Sequence, residues 1–211
     1  MKIRVIIFAL VAIMVSCSTT TKITGSWKAD DYKKEKEFKK IAVVTLAQNN
    51  TSQLVVEKSF IDRLKYLGYD AIPTSDFLVG DIIKKENAQM IDEMFKKRDV
   101  DAVIILSLLK IKDETRYVQG STMPYGPGGY YGGYYGYYYH NYNRMNDGYY
   151  EETTSIFLES KFYDLDKGKL ISSIQTETSD PAGIDDLSQS FSQAILKRLV
   201  TDKILVNNSA K

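Results

Sequence analysis

The chain has 211 residues, with 28 Lys+Arg against 27 Asp+Glu, one cysteine and one histidine. A net charge of +1 gives no electrostatic footprint for nucleic acid. A lone cysteine rules out a disulfide framework and a cysteine metal site, and a lone histidine rules out a His-based triad and a paired-histidine metal site.

The first 16 residues read as a leader. Lys2 and Arg4 form a basic start, and Val5 to Val15 form an apolar run of 11 residues, too short to span a bilayer as a helix. Met14-Val15-Ser16-Cys17 follows, resembling the bacterial lipobox, with Met14 a less usual residue at its position. Cys17 is therefore the expected lipidation site. Three acyl chains on it would anchor the protein stably, where one chain would bind only marginally. Cleavage removes Lys2 and Arg4, leaving 26 Lys+Arg against 27 Asp+Glu and a charge of −1. The 195 residues from Cys17 onward suit one domain with a real core.

Residues 18–24 are polar and threonine-rich and read as a tether. Trp27, the only tryptophan, reads as a packing anchor, because a large ring needs a buried site. Asp30 to Lys40 is densely charged and reads as a solvated loop. Lys40 to Ala47 is a β-branched apolar run, expected to be a strand covered on both faces. Leu54 to Leu67 is an amphipathic helix with Val56, Phe60, Ile61, Leu64 and Leu67 on one face, closed by Gly68 as the C′ residue. Tyr69 to Pro73 is a short strand stopped by proline. Asn87 to Lys97 is a second helix, with Ala88, Ile91, Met94 and Phe95 inward.

Asp101 to Leu109 is the most apolar run after the leader and reads as the central strand. After the insert, Ile156, Leu158 and Phe162 mark another strand, a turn follows at Asp164 to Gly168, and Leu170 to Thr176 continue as the next strand. Leu187, Phe191, Ile195 and Leu199 give a third helix, with Asp185 and Asp186 in its first turn and Lys197 and Arg198 in its last. The expected fold is α/β: a single mixed β-sheet with helices packed against it, in the order β-α-β-α-β-(Tyr/Gly insert)-β-β-α. The first three strands need crossover helices and should be parallel. The expected organisation is a signal peptide over 1–16, a lipidated tether over 17–24, one α/β domain over 25–206 and a frayed end over 207–211.

The insert at 119–150 is the unusual feature. Between Tyr117 and Tyr150 lie 12 of the 16 tyrosines and 8 of the 13 glycines. Glycine at this density opposes helix and regular strand. Three readings compete: a flexible loop, a sticky contact surface of the Tyr/Gly type used by adaptable binding loops, or rings that stack on sugar faces. Tyrosine is also enriched at membrane surfaces. The candidate binding residues are Tyr130, Tyr131, Tyr134, Tyr135, Tyr137, Tyr138 and Tyr139. Base stacking on nucleic acid is disfavoured, since Arg144 is the only positive residue between Gly120 and Tyr150 apart from His140.

No catalytic, cofactor or metal residues emerge. The glycine run matches neither a Walker loop nor a dinucleotide fingerprint. Asp99 and Asp101 flank the entry end of the central strand, whereas ligands favour the carboxyl ends. Asp164 and Asp166 read as turn formers rather than a carboxylate pair.

Several pieces, taken in order, resemble a family of bacterial envelope lipoproteins known mainly as a domain of unknown function. They are Thr24-Gly-Ser-Trp27, Phe38-Lys-Lys-Ile-Ala-Val-Val, Leu67-Gly-Tyr-Asp-Ala-Ile-Pro, Val100-Asp-Ala-Val-Ile-Ile, the Tyr/Gly insert and Phe162-Tyr-Asp-Leu-Asp-Lys-Gly-Lys-Leu. The resemblance implies envelope localisation and a mixed α/β domain, and supplies no catalytic residues. The expectation is a lipid-anchored, periplasm-facing envelope lipoprotein of the outer membrane. It would be non-enzymatic, presenting the Tyr/Gly loop to a protein partner. A glycan- or peptidoglycan-binding lipoprotein is the alternative, and an uncharacterised carboxylate hydrolase a second one.

Overall fold

The computed structural model describes residues 19–32, 37–47, 49–78, 88–118 and 149–208. In chain order these form β1 (Thr21–Lys28), β2 (Lys40–Leu46), α1 (Asn50–Tyr66), β3 (Asp70–Pro73), α2 (Ala88–Lys96), β4 (Ala102–Val118), β5 (Tyr149–Asp164), β6 (Lys169–Ser179) and α3 (Ile184–Thr201). The strands make one six-stranded sheet in the order β1-β6-β5-β4-β2-β3. The expected mixed α/β sheet is thus present, with one strand more than the sequence suggested.

β2 runs parallel to β3 from Lys40↔Asp70 to Val43↔Pro73, and parallel to β4 from Ile41↔Ala102 to Leu46↔Ser107. β2 is covered on both faces. Ile41 and Val43 join the larger core, against Phe60 and Leu64 of α1 and Phe191 and Ile195 of α3. Ala42 and Val44 join a smaller core with Leu78 and Phe95. Alternate residues of a strand point to opposite faces, so one continuous apolar run serves two cores.

β1 is the unanticipated strand. Residues 21–24, read as tether, lie in it. It pairs antiparallel with β6 from Thr21↔Thr178 to Lys28↔Ser172, with a register shift between Ile23 and Gly25. Its side chains are nearly all solvated, so it carries no apolar alternation and is held by its ladder. Trp27 is 49% exposed rather than buried. It lies opposite Ser173, on a sheet face where Glu159 accepts from Ser173 and Gln175.

Asn49 caps α1, its side-chain oxygen accepting from the Thr51 and Ser52 amides at 2.8 and 3.4 Å. Gly68 ends the helix at φ +88°, as its sequence position predicts. The C-terminal segment docks here. The Asn208 amide donates to the Leu67 carbonyl at 2.9 Å, so 207–208, expected to fray, are held in place. A Cβ on Gly68 would meet Asn208 Cβ at 2.9 Å. α1 and α3 touch through Phe60 and Phe191, edge to face at 5.3 Å, and through the Ser59 and Ser192 hydroxyls at 2.8 Å.

The sheet has two distinct ends. β1 starts and β6 finishes at the Thr21 end. α3 starts there too, since Thr21 Oγ1 shares a hydrogen bond with Ser190 at 2.6 Å, and it finishes at the Lys28 end, where Lys28 Nζ donates to the Asp202 carbonyl. The Leu165 amide donates to the Asp101 carbonyl, so β4 begins beside the end of β5, at the β5–β6 turn. β4 therefore runs toward the Thr21 end. β2, parallel to β4, also finishes there, and α1 begins there. Among the described residues no helix is long and apolar enough to cross a membrane.

By contact density the chain divides into Met1–Ile111 with Ile156–Lys211, and Lys112–Ser155. In the second unit Thr154 Oγ1 donates to Asp113 at 2.8 Å, Lys112 pairs with Glu114, and residues 112–116 are exposed.

Candidate functional site

The sequence-derived candidates fall outside the described residues: Cys17, and Tyr130, Tyr131, Tyr134, Tyr135, Tyr137, Tyr138 and Tyr139. The acids set aside above are accounted for by architecture. Asp101 accepts from the Lys39 and Lys40 amides at 2.8 and 3.2 Å, and so clasps the start of β2. Asp164 is buried and caps the β5–β6 turn, accepting from the Asp166 and Lys167 amides at 3.0 and 3.3 Å. Asp99 holds φ +54° in the turn between α2 and β4.

One acid escaped the sequence reading. Glu57, on the second turn of α1, is fully buried. Its Oε1 accepts from the Thr45 amide (3.3 Å), Gln53 Nε2 (3.1 Å) and Thr74 Oγ1 (3.3 Å). Its Oε2 accepts from the Ser75 amide (3.3 Å) and Ser75 Oγ (2.7 Å). One carboxyl group thus ties α1 to the carboxyl ends of β2 and β3. This is where open α/β sheets place ligands, but here the position is filled by the protein's own donors. The signal was available: Glu57 falls in the 57-60-61-64 stripe that forms the buried face of α1.

Two of the clefts among the described residues are lined by charged and aromatic groups. A cleft of about 360 Å³ lies beside β3, lined by Lys40, Pro73, Phe77 and Arg98 among others. There the Arg98 guanidinium sits 4.1 Å from the Phe77 ring centroid, a cation–π contact. A smaller one, about 260 Å³, is lined by Tyr32, Asp164, Lys167 and Lys169 among others. Burial, and after it the Asp164 charge, push the Tyr32 phenol above its ordinary pKa. Neither cleft pairs a nucleophile with a base. Among the described residues no three His, Cys, Asp or Glu side chains are placed to hold a metal.

The remaining feature is an exposed apolar surface. Past its buried stretch, β4 presents Leu108, Leu109 and Ile111 at 51%, 47% and 56% exposure. Residues 108 and 109 point to opposite faces, so both faces of the strand are solvated here. Lys110 lays its ammonium over the Phe157 ring at 4.4 Å.

No protein-family model matches the chain, and no curated protein matches it. Among solved structures it is similar to the PelC dodecamer from Paraburkholderia phytofirmans, at 9% identity and TM-score 0.46, over 85% of this chain and 97% of that one. It is also similar to lipoprotein GNA1162 from Neisseria meningitidis, at 14% identity and TM-score 0.39, over 77% and 99%. A PDZ domain protein from Parabacteroides distasonis matches at 12% identity and TM-score 0.39, over 82% of this chain and 34% of that one. Similarity at this level lends no argument about function.

Proposed function

We propose that the protein is a lipid-anchored envelope lipoprotein, acylated at Cys17, that acts as a non-enzymatic binding or assembly module and offers the Tyr/Gly segment to a protein partner. The observation that carries this reading is the solvated end of β4. A strand that leaves its core, runs through the exposed residues 112–116 and leads in sequence into a tyrosine-dense segment is placed to offer that segment for contact. The acids support the same reading, since Glu57, Asp101 and Asp164 are each engaged by backbone amides of the fold. A second reading, glycan contact, is favoured by Trp27, a half-exposed ring beside Ser173 on a polar sheet face.

The test is a crosslinked pull-down from intact envelopes. It compares the full-length protein with one in which residues 120–148 are replaced by a short Gly/Ser turn. A protein captured only by the full-length form supports the proposal. Capture of the same proteins by both forms contradicts it. Co-sedimentation with purified cell wall, lost on Trp27→Ala, would move the function to the glycan reading.

A further inference from the structure

Of the nine large apolar side chains exposed among the described residues, five share one end of the sheet with Ile23 nearby, while Trp27 and Tyr66 lie toward the other. Leu46 closes β2, Leu54 lies on the second turn of α1, and Leu108, Leu109 and Ile111 lie on β4; all are 46–56% exposed. Leu46 stands opposite Ser107 in the β2–β4 register, on the face that Leu109 and Ile111 share. β4 starts at the Lys28 end, so Leu108 to Ile111 lie about 20–30 Å along it, toward the Thr21 end. β2 also finishes at that end and α1 starts there, so all five residues gather at the Thr21 end. Ile23, at 39% exposure, is on β1 near the same end. The Thr21 end also exposes Asp180 and Asp185, while the opposite end, Trp27 and Tyr66 apart, is charged. Its turns expose Lys65 and Asp70, Lys97 and Asp99, and Lys167 and Lys169.

The chain also fixes which end is close to the anchor. Thr19 Oγ1 donates to the Asp186 carboxylate in the first turn of α3, and Thr21 enters the ladder opposite Thr178. This hydrogen bond holds the Asp186 carboxyl below its usual pKa, with the Ala182 amide adding to it. Only Ser18 separates Thr19 from Cys17. Four residue steps span at most about 14 Å, so Thr21 cannot lie farther than that from an acylated Cys17. α3, at 18 residues, carries its far end about 27 Å away.

We infer that the Thr21 end of the domain is a membrane-contact surface, and that Leu46, Leu54, Leu108, Leu109 and Ile111 rest in the headgroup region of the bilayer that holds the lipid anchor. The inference rests on acylation of Cys17, proposed above. The length of chain between the anchor and the fold selects the occupant, because a tether of at most about 14 Å keeps Thr21 beside the bilayer. Half-exposed leucines gain by leaving water there, at about 25 cal/mol per Å² of apolar area removed. Lys110, whose ammonium lies over the Phe157 ring, has the reach to place it at phosphate depth.

The single native tryptophan supplies the probe. Trp27 lies on β1 six residues beyond Thr21, about 20 Å from the anchor end. Lipidated protein is reconstituted in phosphatidylethanolamine/phosphatidylglycerol vesicles with and without brominated acyl chains. Three forms are compared: the native chain, Trp27→Phe/Leu108→Trp and Trp27→Phe/Ile111→Trp. The expected result is strong quenching and a blue shift at positions 108 and 111, with Trp27 essentially unquenched. Far-ultraviolet circular dichroism checks that each variant folds, and Leu109→Trp substitutes for one that does not. Quenching at 108 and 111 no greater than at Trp27, in protein that floats with the vesicles, overturns the inference. So does a position-108 probe that lipid leaves unquenched and an envelope protein shields. Protein that neither floats nor carries lipid on Cys17 refutes the anchor reading itself, and this inference with it.

Discussion

The two ends of the sheet are built from the same strands but finished differently. At the Lys28 end three connections are tight turns closed by backbone and side-chain bonds: Gly68 at φ +88° against Asn208, Asp99 at φ +54°, and Asp164 over the β5–β6 turn. Those turns are charged and need only water around them. At the Thr21 end one buried acid, Glu57, gathers the ends of β2, β3 and α1, while leucines stay outside. On the inference above, one end is finished for solvent and the other for a surface.

Removing the internal fastener at each end separates them most sharply. Glu57→Ala orphans donors around a fully buried site that water does not reach, and should cost about 3 kcal/mol. Asp164→Ala releases two amides in a turn whose residues 166–168 are exposed, so water can replace the lost acceptor and the cost should be about 1 kcal/mol. Urea denaturation of the unlipidated domain measures both. Equal costs would mean that Glu57 is no more a hub than Asp164.

A smaller effect concerns the polar sheet face between the two ends. Burial pushes the Glu159 carboxyl upward, but hydrogen bonds from Lys161, Gln175 and Ser173 and the Lys161 charge outweigh it, leaving the pKa below its ordinary value. Its contribution to stability is therefore in place at neutral pH, above the unfolded value of about 4.3, and is lost as pH falls through the lowered folded value. Glu159→Gln should flatten the acid limb of stability, measured as the urea midpoint between pH 7 and pH 3. An unchanged limb would show that this cluster adds nothing to the face that carries Trp27.

Much of this architecture was legible in the sequence. The helical stripe 56-60-61-64, the C′ position of Gly68, the two-sided strand at 41–44 and the turn at 164–168 each follow from local periodicity or turn chemistry, and the structure has them all. What escaped was held by long-range bonds. β1 has almost no buried side chain and exists through its ladder with β6, more than 140 residues away in sequence. Asn208 looks like a loose end until the Leu67 carbonyl and Gly68 meet it. Trp27 looked like a core residue because its size suggests one, yet an edge strand on a polar face offers no pocket. Glu57 reads as a surface acid on any charge count, and only its place in the stripe betrays it. The uneven placement of the leucines could not be read at all, because it requires knowing that β2, β4, α1 and the tether share one end.

The most direct measurement of that asymmetry is amide hydrogen exchange, comparing lipidated protein in vesicles with the Cys17→Ala protein in solution. The account predicts added protection confined to the Thr21 end, over residues 45–54 and 107–111, with the turns at 65–70, 97–99 and 165–169 unchanged. Protection appearing at those charged turns, or spread evenly over both ends, would contradict it.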